Sequence, residues 1–322
     1  MLNKEIRELL PERLRKLVER VVLKEEKLQE IRIRREKGIA LRYDGRFVVP
    51  EQKQSVTMAE WKELISRISR QSLYAFEEQM REGFLTIPGG HRVGLAGHVV
   101  YEHGAVKTMR YLSGLNIRIS HEIKGCSDEL MPFVVLNTVI LPTLIIAPPG
   151  GGKTTLLRDF VRNLSRQCNV AVVDERSEIA GCYMGISQRD LGSFCDVLDG
   201  CKKADGVRMM IRSMAPQVVA VDEIGTSEDI AALSYALTSG CSLLATIHGE
   251  TLSQVRFRLY LKTGCLSDIY FWTICFIRAN VWLFMIRRER RYGNKIFRND
   301  FCPVGKFWNR YFLSDSIWQP LT

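Results

Sequence analysis

The sequence predicts an α/β protein, in which a parallel sheet covered by helices follows a smaller α+β domain. Between residues 143 and 248, short apolar runs with the length of buried strands alternate with helical patterns. A glycine-rich loop joins the first of these runs to its helix. Before about residue 120, helical patterns precede segments that alternate apolar and polar residues, as an antiparallel sheet does.

Composition describes an ordinary globular chain. Of its 322 residues, 46% are hydrophobic and 25% are charged. The nine cysteines form no Cys-x-x-Cys pair, and an odd number of cysteines argues against a disulfide framework. We therefore expect the protein to reside in a reducing cytoplasm. The first residues, MLNKEIRELLPERL, are too charged for a signal peptide.

The net charge of +10 does not by itself predict binding to nucleic acid. Residues 265–322 hold nine basic and four acidic residues, which is half of that charge. The remainder is spread thinly over the first 264 residues, where no platform of basic and aromatic residues is evident.

The N-terminal part contains several local signals. Residues 1–27 mix acids and bases around apolar residues at helical spacing, which predicts one amphipathic helix exposed to solvent. A half-buried strand follows around Leu28–Ile33. Asp44-Gly45 then predicts a hairpin between strands 39–43 and 46–49.

Further helices and strands complete this α+β domain, for which we expect bounds of 1–120. Thr57 and Glu60 have the spacing of a capping box and predict a helix start. A second helix is expected over Leu73–Glu82. Residues 84–119 alternate again, and a helix over Gly125–Asn137 would lead into the next domain.

The stretch TLIIAPPGGGKTTLLRD, from Thr143 to Asp159, predicts a phosphate-binding loop between a strand and a helix. Backbone N–H groups and the helix N-terminus would converge on phosphates there. An ordinary glycine-rich turn is the alternative, but the strand, loop and helix together favour the phosphate loop. Ala147 replaces the usual first glycine, which is acceptable if its φ stays negative. The expected nucleotide contacts are Pro149, Gly150, Gly151, Gly152, Lys153, Thr154 and Thr155.

The rest of this domain, expected over 121–264, repeats the strand–helix pattern. Residues 181–205 are expected to form a loop with a short helix. The predicted strands are 169–174, 218–221 and 242–247, and the predicted helices are 207–214 and 228–238. Acidic residues and a histidine follow three of these strands, at the edge where ligands bind to parallel sheets.

Asp222 and Glu223 follow an apolar strand and are the main candidates for chemistry. Asp222, directly or through water, and the Thr154 hydroxyl would hold Mg²⁺, and Glu223 would orient or deprotonate the attacking water. His248 either senses the γ-phosphate, holds the water, or merely caps its strand.

Other candidates end a neighbouring strand or lie on a helix. Arg208 and Arg212 are one helical turn apart and either stabilise phosphate charge, in cis or across subunits, or pair with nearby acids. The acidic candidates are Asp174, Glu175 and Glu178.

These motifs, in the order phosphate loop, VVDERSE, VRMMIRSMAPQVVAVDEIGT and ATIHGE, resemble the type II/type IV secretion ATPase superfamily. The resemblance implies a RecA-like P-loop NTPase core. It assigns Asp174, Glu175 and Glu178 to an acidic box, and Thr246, Ile247 and His248 to a histidine box. Arg208 and Arg212 match a pair of arginines, and Glu223 matches the catalytic glutamate. Asp222 stands where those ATPases usually have glycine.

A closer resemblance, carried by SLYAFEEQMREGFLTIPGGHRVGLAGHVV, MRYLSGLNIRIS and DERSEIAG, is to the stage III sporulation protein AA family. It implies an ATP- and Mg²⁺-dependent homo-hexamer in the mother-cell cytoplasm, peripheral at the membrane facing the forespore. Membrane-embedded sporulation channel proteins would be its partners. Two alternatives remain: a nucleic-acid-dependent motor or loader, which the missing stacking platform disfavours, and a small-molecule kinase, for which no acceptor site is recognisable.

Residues 265–322 form an anomalous tail. The resemblance covers about residues 10–260 and is expected to end near Gly264, without the closing strands of the family. The apolar run Ile269–Ile286 has the minimum length of a membrane span but contains Arg278 and Asn280. A shifted reading frame near residue 260 and a real insertion both account for this change, and we favour the frame shift.

Overall fold

A computed structural model describes residues 2–50, 55–69, 80–81, 83–249 and 254–255, together with the backbone of three strands between residues 273 and 303. The chain divides into two compact units. The N-terminal unit contains Met1–Glu122 and Gly181–Arg189, and the core unit contains Ile123–Ala180 and Asp190–Thr322. The two units are described separately.

The N-terminal unit begins with two short helices, α1 (Lys4–Leu9) and α2 (Glu12–Val21). The prediction of one helix over residues 1–27 is therefore wrong, because Pro11 lacks an N–H and interrupts the helical hydrogen bonds. Both helices are amphipathic and bury their apolar face. Helix α3 (Met58–Ile68) begins at the expected capping box, in which Thr57 and Glu60 satisfy each other's backbone N–H.

An antiparallel sheet completes this unit. Its strands are β1 (Leu28–Arg34), β2 (Ile39–Tyr43), β3 (Arg46–Val48), β4 (Phe84–Ile87), β5 (His91–Glu102) and β6 (Ala105–Arg118). These six strands have the order β3-β2-β1-β6-β5-β4. The predicted hairpin turn has positive φ at Asp44 and Gly45. Of the predicted helix Leu73–Glu82, only Met80 and Arg81 lie within the described residues, and both are helical.

The core unit contains an eight-stranded sheet. Its strands are β9 (Thr143–Ala147), β10 (Val170–Asp174), β11 (Cys195–Asp199), β12 (Val218–Val221), β13 (Ser242–His248), β14 (Thr273–Arg278), β15 (Val281–Ile286) and β16 (Asp300–Pro303). They have the order β11-β10-β12-β13-β9-β14-β15-β16, and the first six strands in this order pair in parallel. A separate hairpin precedes them, formed by β7 (Val135–Leu136) and β8 (Val139–Ile140).

Helices connect the parallel strands, as the sequence predicted. They are α5 (Lys153–Leu164), α6 (Lys203–Met214) and α7 (Ser227–Thr238), whereas α4 (Met131–Val134) precedes the hairpin of β7 and β8. Every residue of β9, β10 and β12 is buried, which explains their continuous apolar runs. Because the strands are parallel, their carboxyl ends lie at one edge, where His248 is the register partner of Ala147.

Three predictions for this unit are wrong. The helix expected over Gly125–Asn137 is limited to a 3₁₀ turn and the single-turn α4, because positive φ angles at Asn137 and Thr138 turn the chain into a hairpin. The segment 181–205 contains strand β11, which lies at the sheet edge and includes two aspartates. Helix α6 begins at Lys203 rather than at Val207.

The apolar run Ile269–Ile286, which has the minimum length of a membrane span, contains two β-strands. Residues 273–278 and 281–286 pair antiparallel with each other, and β14 also pairs with β9. Among the described residues, no helix combines the length and the apolar character needed to cross a membrane.

Candidate nucleotide site

The phosphate loop has the backbone that its glycines predict. Gly150 and Gly152 have φ angles of 74° and 82°, in the region that favours glycine. A Cβ atom on Gly151 would lie 2.9 Å from the Ala147 Cβ and 3.0 Å from the Pro148 carbonyl oxygen, so this position has no room for a side chain. Ala147 is the last residue of the extended strand β9.

Lys153, the first residue of α5, bends back over the loop. Its Nζ donates to the carbonyl oxygens of Ala147 and Pro148, both at 3.2 Å, and to His248 Nδ1 at 2.8 Å. Burial lowers the pKa of Lys153, while the charges of Asp222 and Glu223 oppose that shift. In a phosphate loop, the lysine at this position contacts the β- and γ-phosphates.

Asp222 is held by two threonine hydroxyl groups. Thr154 Oγ1 donates to Asp222 Oδ2 at 2.5 Å, and Thr246 Oγ1 donates to Asp222 Oδ1. The Thr246 hydroxyl in turn accepts the backbone N–H of Glu223 at 2.8 Å. A hydroxyl and a carboxylate oxygen therefore adjoin the phosphate loop, and this hard-oxygen donor set fits Mg²⁺.

Glu223 lies at the centre of a chain of charged and polar groups. His248 Nε2 contacts Glu223 Oε1 at 2.7 Å, and Arg176 Nη1 donates to Glu223 Oε2 at 2.6 Å. Burial alone would raise the pKa of Glu223, but His248, Arg176 and Lys153 together hold it below its usual value. Glu223 has a φ of 54°, which is uncommon for a residue with a long side chain.

The acidic box divides into separate roles. Asp174 is buried and accepts the backbone N–H groups of Glu178, Ile179 and Ala180 at 2.8 to 2.9 Å. Burial raises the pKa of Asp174 to about 6, against the lowering effect of these hydrogen bonds. Glu175 pairs with Lys203, and Glu178 contributes its backbone to the same turn. Asp174 therefore shapes a turn, while Glu223 is the carboxylate that contacts His248.

The candidate arginines lie outside this cluster of contacts. Arg208 and Arg212 are exposed on α6, and neither forms an ion pair within the part of the chain that the structure describes. The alternative that they pair with nearby acids therefore has no support among the described residues. Arg118, the exposed last residue of β6, is a further arginine to test for a role across subunits.

Two arginines of this region were missed by sequence reasoning. Arg176 stands between acids in DERSE, and its pairing with Glu223 depends on the contact of two strand ends that are distant in sequence. Arg158 is buried and donates to the carbonyl oxygens of Ile179 and Glu178, both at 2.7 Å. The signal available in the sequence was the position of Arg158 on the helix that follows the phosphate loop. An arginine buried on that helix needs hydrogen-bond partners.

Comparison with known proteins identifies the family. The model for "Sporulation stage III, protein AA" matches residues 2–277, which extends past the expected limit at Gly264 and corrects it. The "Stage III sporulation protein AA" of Bacillus subtilis (strain 168) is 44% identical over 265 residues, which cover 80% of this chain and 85% of that protein.

Solved structures show the same fold. The pilus retraction motor PilT with bound ADP has a TM-score of 0.61 at 14% identity, covering 85% of this chain and 83% of that one. The Legionella pneumophila ATPase DotB has a TM-score of 0.56 at 16% identity, covering 89% and 82%. The predicted P-loop α/β fold is thus confirmed. The match over residues 2–277 and the 44% identity show that this chain belongs to the sporulation stage III protein AA family.

Proposed function

We propose that this chain binds ATP with Mg²⁺ and hydrolyses it. The observation that carries the proposal is the hydrogen-bonded chain from Lys153 through His248 to Glu223. It links a phosphate-binding amine to a carboxylate, at the carboxyl edge of a parallel sheet. A phosphate loop alone would support binding, and the added carboxylate supports a reaction with water.

The phosphate loop would bind the nucleotide. Gly150 and Gly152 give the loop the curvature that lets backbone N–H groups face phosphate oxygens. Lys153 would exchange its contacts with two loop carbonyls and His248 for the β- and γ-phosphates. The remaining expected contacts, Pro149, Gly151, Thr154 and Thr155, belong to the same loop and first helical turn.

Thr154 and Asp222 are the residues that would hold Mg²⁺. Their oxygen atoms are 2.5 Å apart, and Thr246 fixes the second oxygen of Asp222. When bound, the ion would neutralise phosphate charge during the transfer.

Glu223 would orient or deprotonate the attacking water. Its ionised form is favoured by the three cationic or hydrogen-bonding neighbours His248, Arg176 and Lys153. His248 contacts both Lys153 and Glu223, so a change at the phosphate end would reach the carboxylate. Glu175 is a weaker candidate for the base, because its carboxylate is already paired with Lys203, and Glu178 is the other acidic candidate.

The biological setting follows from the family and is also part of the proposal. We infer that the competent form is a homo-hexameric ring, located in the mother-cell cytoplasm at the membrane facing the forespore. There it would energise membrane-embedded sporulation channel proteins. The fold shared with PilT and DotB supports a motor of this kind, since both are named as a motor or an ATPase.

The test is ATP turnover by the purified full chain, measured with and without Mg²⁺. We expect Mg²⁺-dependent phosphate release that increases with membrane partners of the sporulation channel and not with single-stranded DNA. Stimulation by single-stranded DNA alone would favour the nucleic-acid-dependent motor instead. No phosphate release under any of these conditions would overturn the proposal.

A further inference from the structure

Arg176 lies on a turn whose shape is fixed by hydrogen bonds that other residues of the turn form. Asp174, at the end of β10, accepts three consecutive backbone N–H groups, those of residues 178–180. Ser177 has a φ of 52°, and its hydroxyl donates to Asp199 Oδ1 at 2.6 Å. The backbone on both sides of Arg176 is therefore anchored to β10 and to the end of β11.

The same turn is also tied to the helix that follows the phosphate loop. Arg158, on α5, is buried and donates to the carbonyl oxygens of Glu178 and Ile179. Hydrogen bonds to a charged donor are stronger than neutral ones, so this contact resists displacement of the turn. The backbone that carries Arg176 thus has a defined position relative to α5.

Glu223 needs two contacts to define the direction of its carboxylate. His248 Nε2 contacts one oxygen, and Arg176 Nη1 contacts the other. With only the His248 contact, the carboxylate would rotate about its terminal bond, for which the torsional preference is broad. Two contacts on different oxygens, from side chains on different strand ends, fix the plane of the group. The positive φ of Glu223 adds a backbone constraint to the same residue.

We propose that Arg176 is a positioning residue for hydrolysis: it fixes the carboxylate of Glu223 through the second oxygen while His248 holds the first. The inference rests on the proposed function, because it assigns Glu223 the role of orienting water. Arg176 acts through Glu223 and not on the nucleotide. The side chain of Arg176 is 61% exposed, so its guanidinium is removable without creating a cavity.

The first test separates turnover from binding. For Arg176→Ala in the full chain we expect kcat to fall about 10- to 100-fold, the loss typical of a misplaced catalytic group. The KM for ATP and the binding of ADP should change less than about twofold. Arg176→Lys should restore part of kcat, since an ammonium can contact one carboxylate oxygen. Arg166→Ala is the matched control, because Arg166 is also exposed in the core unit and should leave kcat unchanged.

The second test asks whether Arg176 acts through Glu223. Glu223→Asp shortens the side chain by one methylene and should break the contact with Arg176 while keeping a carboxylate. In that background Arg176→Ala should lower kcat by less than about twofold. The same full loss in both backgrounds would overturn the inference, as would a loss of ADP binding in Arg176→Ala, or unaltered kcat. Absence of ATP turnover in the unaltered chain would instead overturn the proposed function itself.

Discussion

Lys153 donates a hydrogen bond from Nζ to His248 Nδ1 across 2.8 Å. Since an ammonium group has no acceptor, Nδ1 must be the unprotonated nitrogen of the ring. The hydrogen of the neutral imidazole is therefore on Nε2, where it is donated to Glu223. One tautomer of His248 thus satisfies both neighbours, and the phosphate loop determines which nitrogen faces the carboxylate.

The first prediction separates binding from hydrolysis. Lys153→Ala should abolish ATP binding, because the loop loses its cation, while Glu223→Gln should bind ATP and lose hydrolysis. Binding by calorimetry and turnover by phosphate release are to be measured on both variants. Lys202→Ala, which removes an exposed lysine at the start of α6, is the control for Lys153. Normal hydrolysis by Glu223→Gln would move the catalytic role to Glu175 or Glu178.

The second prediction concerns Thr246, whose hydroxyl joins the two acids. Thr246→Val conserves shape but removes the donor to Asp222 and the acceptor of the Glu223 N–H. The Glu223 N–H keeps a contact with Asp222 Oδ1 at 3.1 Å, so the main loss is the hydrogen bond from the hydroxyl to the carboxylate, which should cost about 1.5–3 kcal/mol of unfolding free energy. Chemical denaturation measures that cost, and Mg²⁺-dependent turnover should fall as well. Thr246→Ser, which keeps the hydroxyl, should retain most of both properties. Equal stability of all three proteins would contradict the role of this bridge.

The third prediction is a pH dependence of stability from His91. This ring is 2% exposed, and its Nδ1 accepts the N–H of Ser120 at 3.1 Å. Burial, with Arg189 and His121, lowers the pKa of His91 to about 4. The unfolded chain then binds more protons between pH 4 and the ordinary histidine pKa near 6.5, so stability should fall as pH decreases through that window. The loss at pH 4 should be about 3 kcal/mol.

His91→Gln is the variant that isolates this effect. The pKa of Asp174 is raised to about 6, so the contribution of Asp174 to the pH dependence of stability has the opposite sign. The folded chain binds a proton at Asp174 that the unfolded chain has released, and this contribution to stability is lost as pH rises. The comparison is therefore the difference between the unaltered chain and His91→Gln, measured by denaturation at pH 7 and pH 4.5. Parallel stability curves for the two proteins would rule out His91 as the source.

The fourth prediction is that arginines of one subunit act at the nucleotide site of a neighbouring subunit. Arg208 and Arg212 are exposed and, among the described residues, have no acidic partner, so we expect them to act on phosphates bound by a neighbour. Mixing Lys153→Ala subunits with subunits carrying Arg208→Ala and Arg212→Ala should then restore part of the ATP turnover. Arg118 is to be tested in the same way. Full activity of a strictly monomeric preparation would exclude this arrangement.

The fifth prediction concerns the tail, for which the pairing of β14 with β9 leads us to expect a structural role, in place of the frame shift favoured from the sequence. Strand β14 pairs with β9, which is the strand that leads into the phosphate loop. Deleting everything after Gly264 should expose that edge of β9 and lower solubility, ATP binding and the thermal midpoint. A deletion after Pro303, which keeps β14 to β16, is the control. Equal or better behaviour of the shorter protein would support the frame shift near residue 260.

Sequence reasoning was strongest where one residue pattern determines one local structure. The phosphate loop, the capping box at Thr57 and the buried strands β9 and β12 were predicted because their signals lie within a few residues. Strand β11 was missed because an edge strand needs no continuous apolar run, and its sequence CDVLD resembles a polar loop.

The contacts within the site were harder to predict than its residues. Asp222, Glu223 and His248 were identified because they follow apolar strands. Their partners were not, because Arg176 and Glu223 are 47 positions apart and meet only through the register of β10 and β12. The break at Pro11 could have been predicted, since proline interrupts a helix wherever it occurs after the first turn.

The N-terminal unit is built from two separate pieces of the chain. Gly89 donates its N–H to Gln188 Oε1 at 3.0 Å and accepts from Arg189 Nη2 at 3.0 Å, while Gly181 approaches Gly90. During translation, this unit therefore cannot be completed when residue 122 leaves the ribosome. The phosphate loop and strand β10 must be synthesised first, so completion of the N-terminal unit follows the emergence of both from the ribosome.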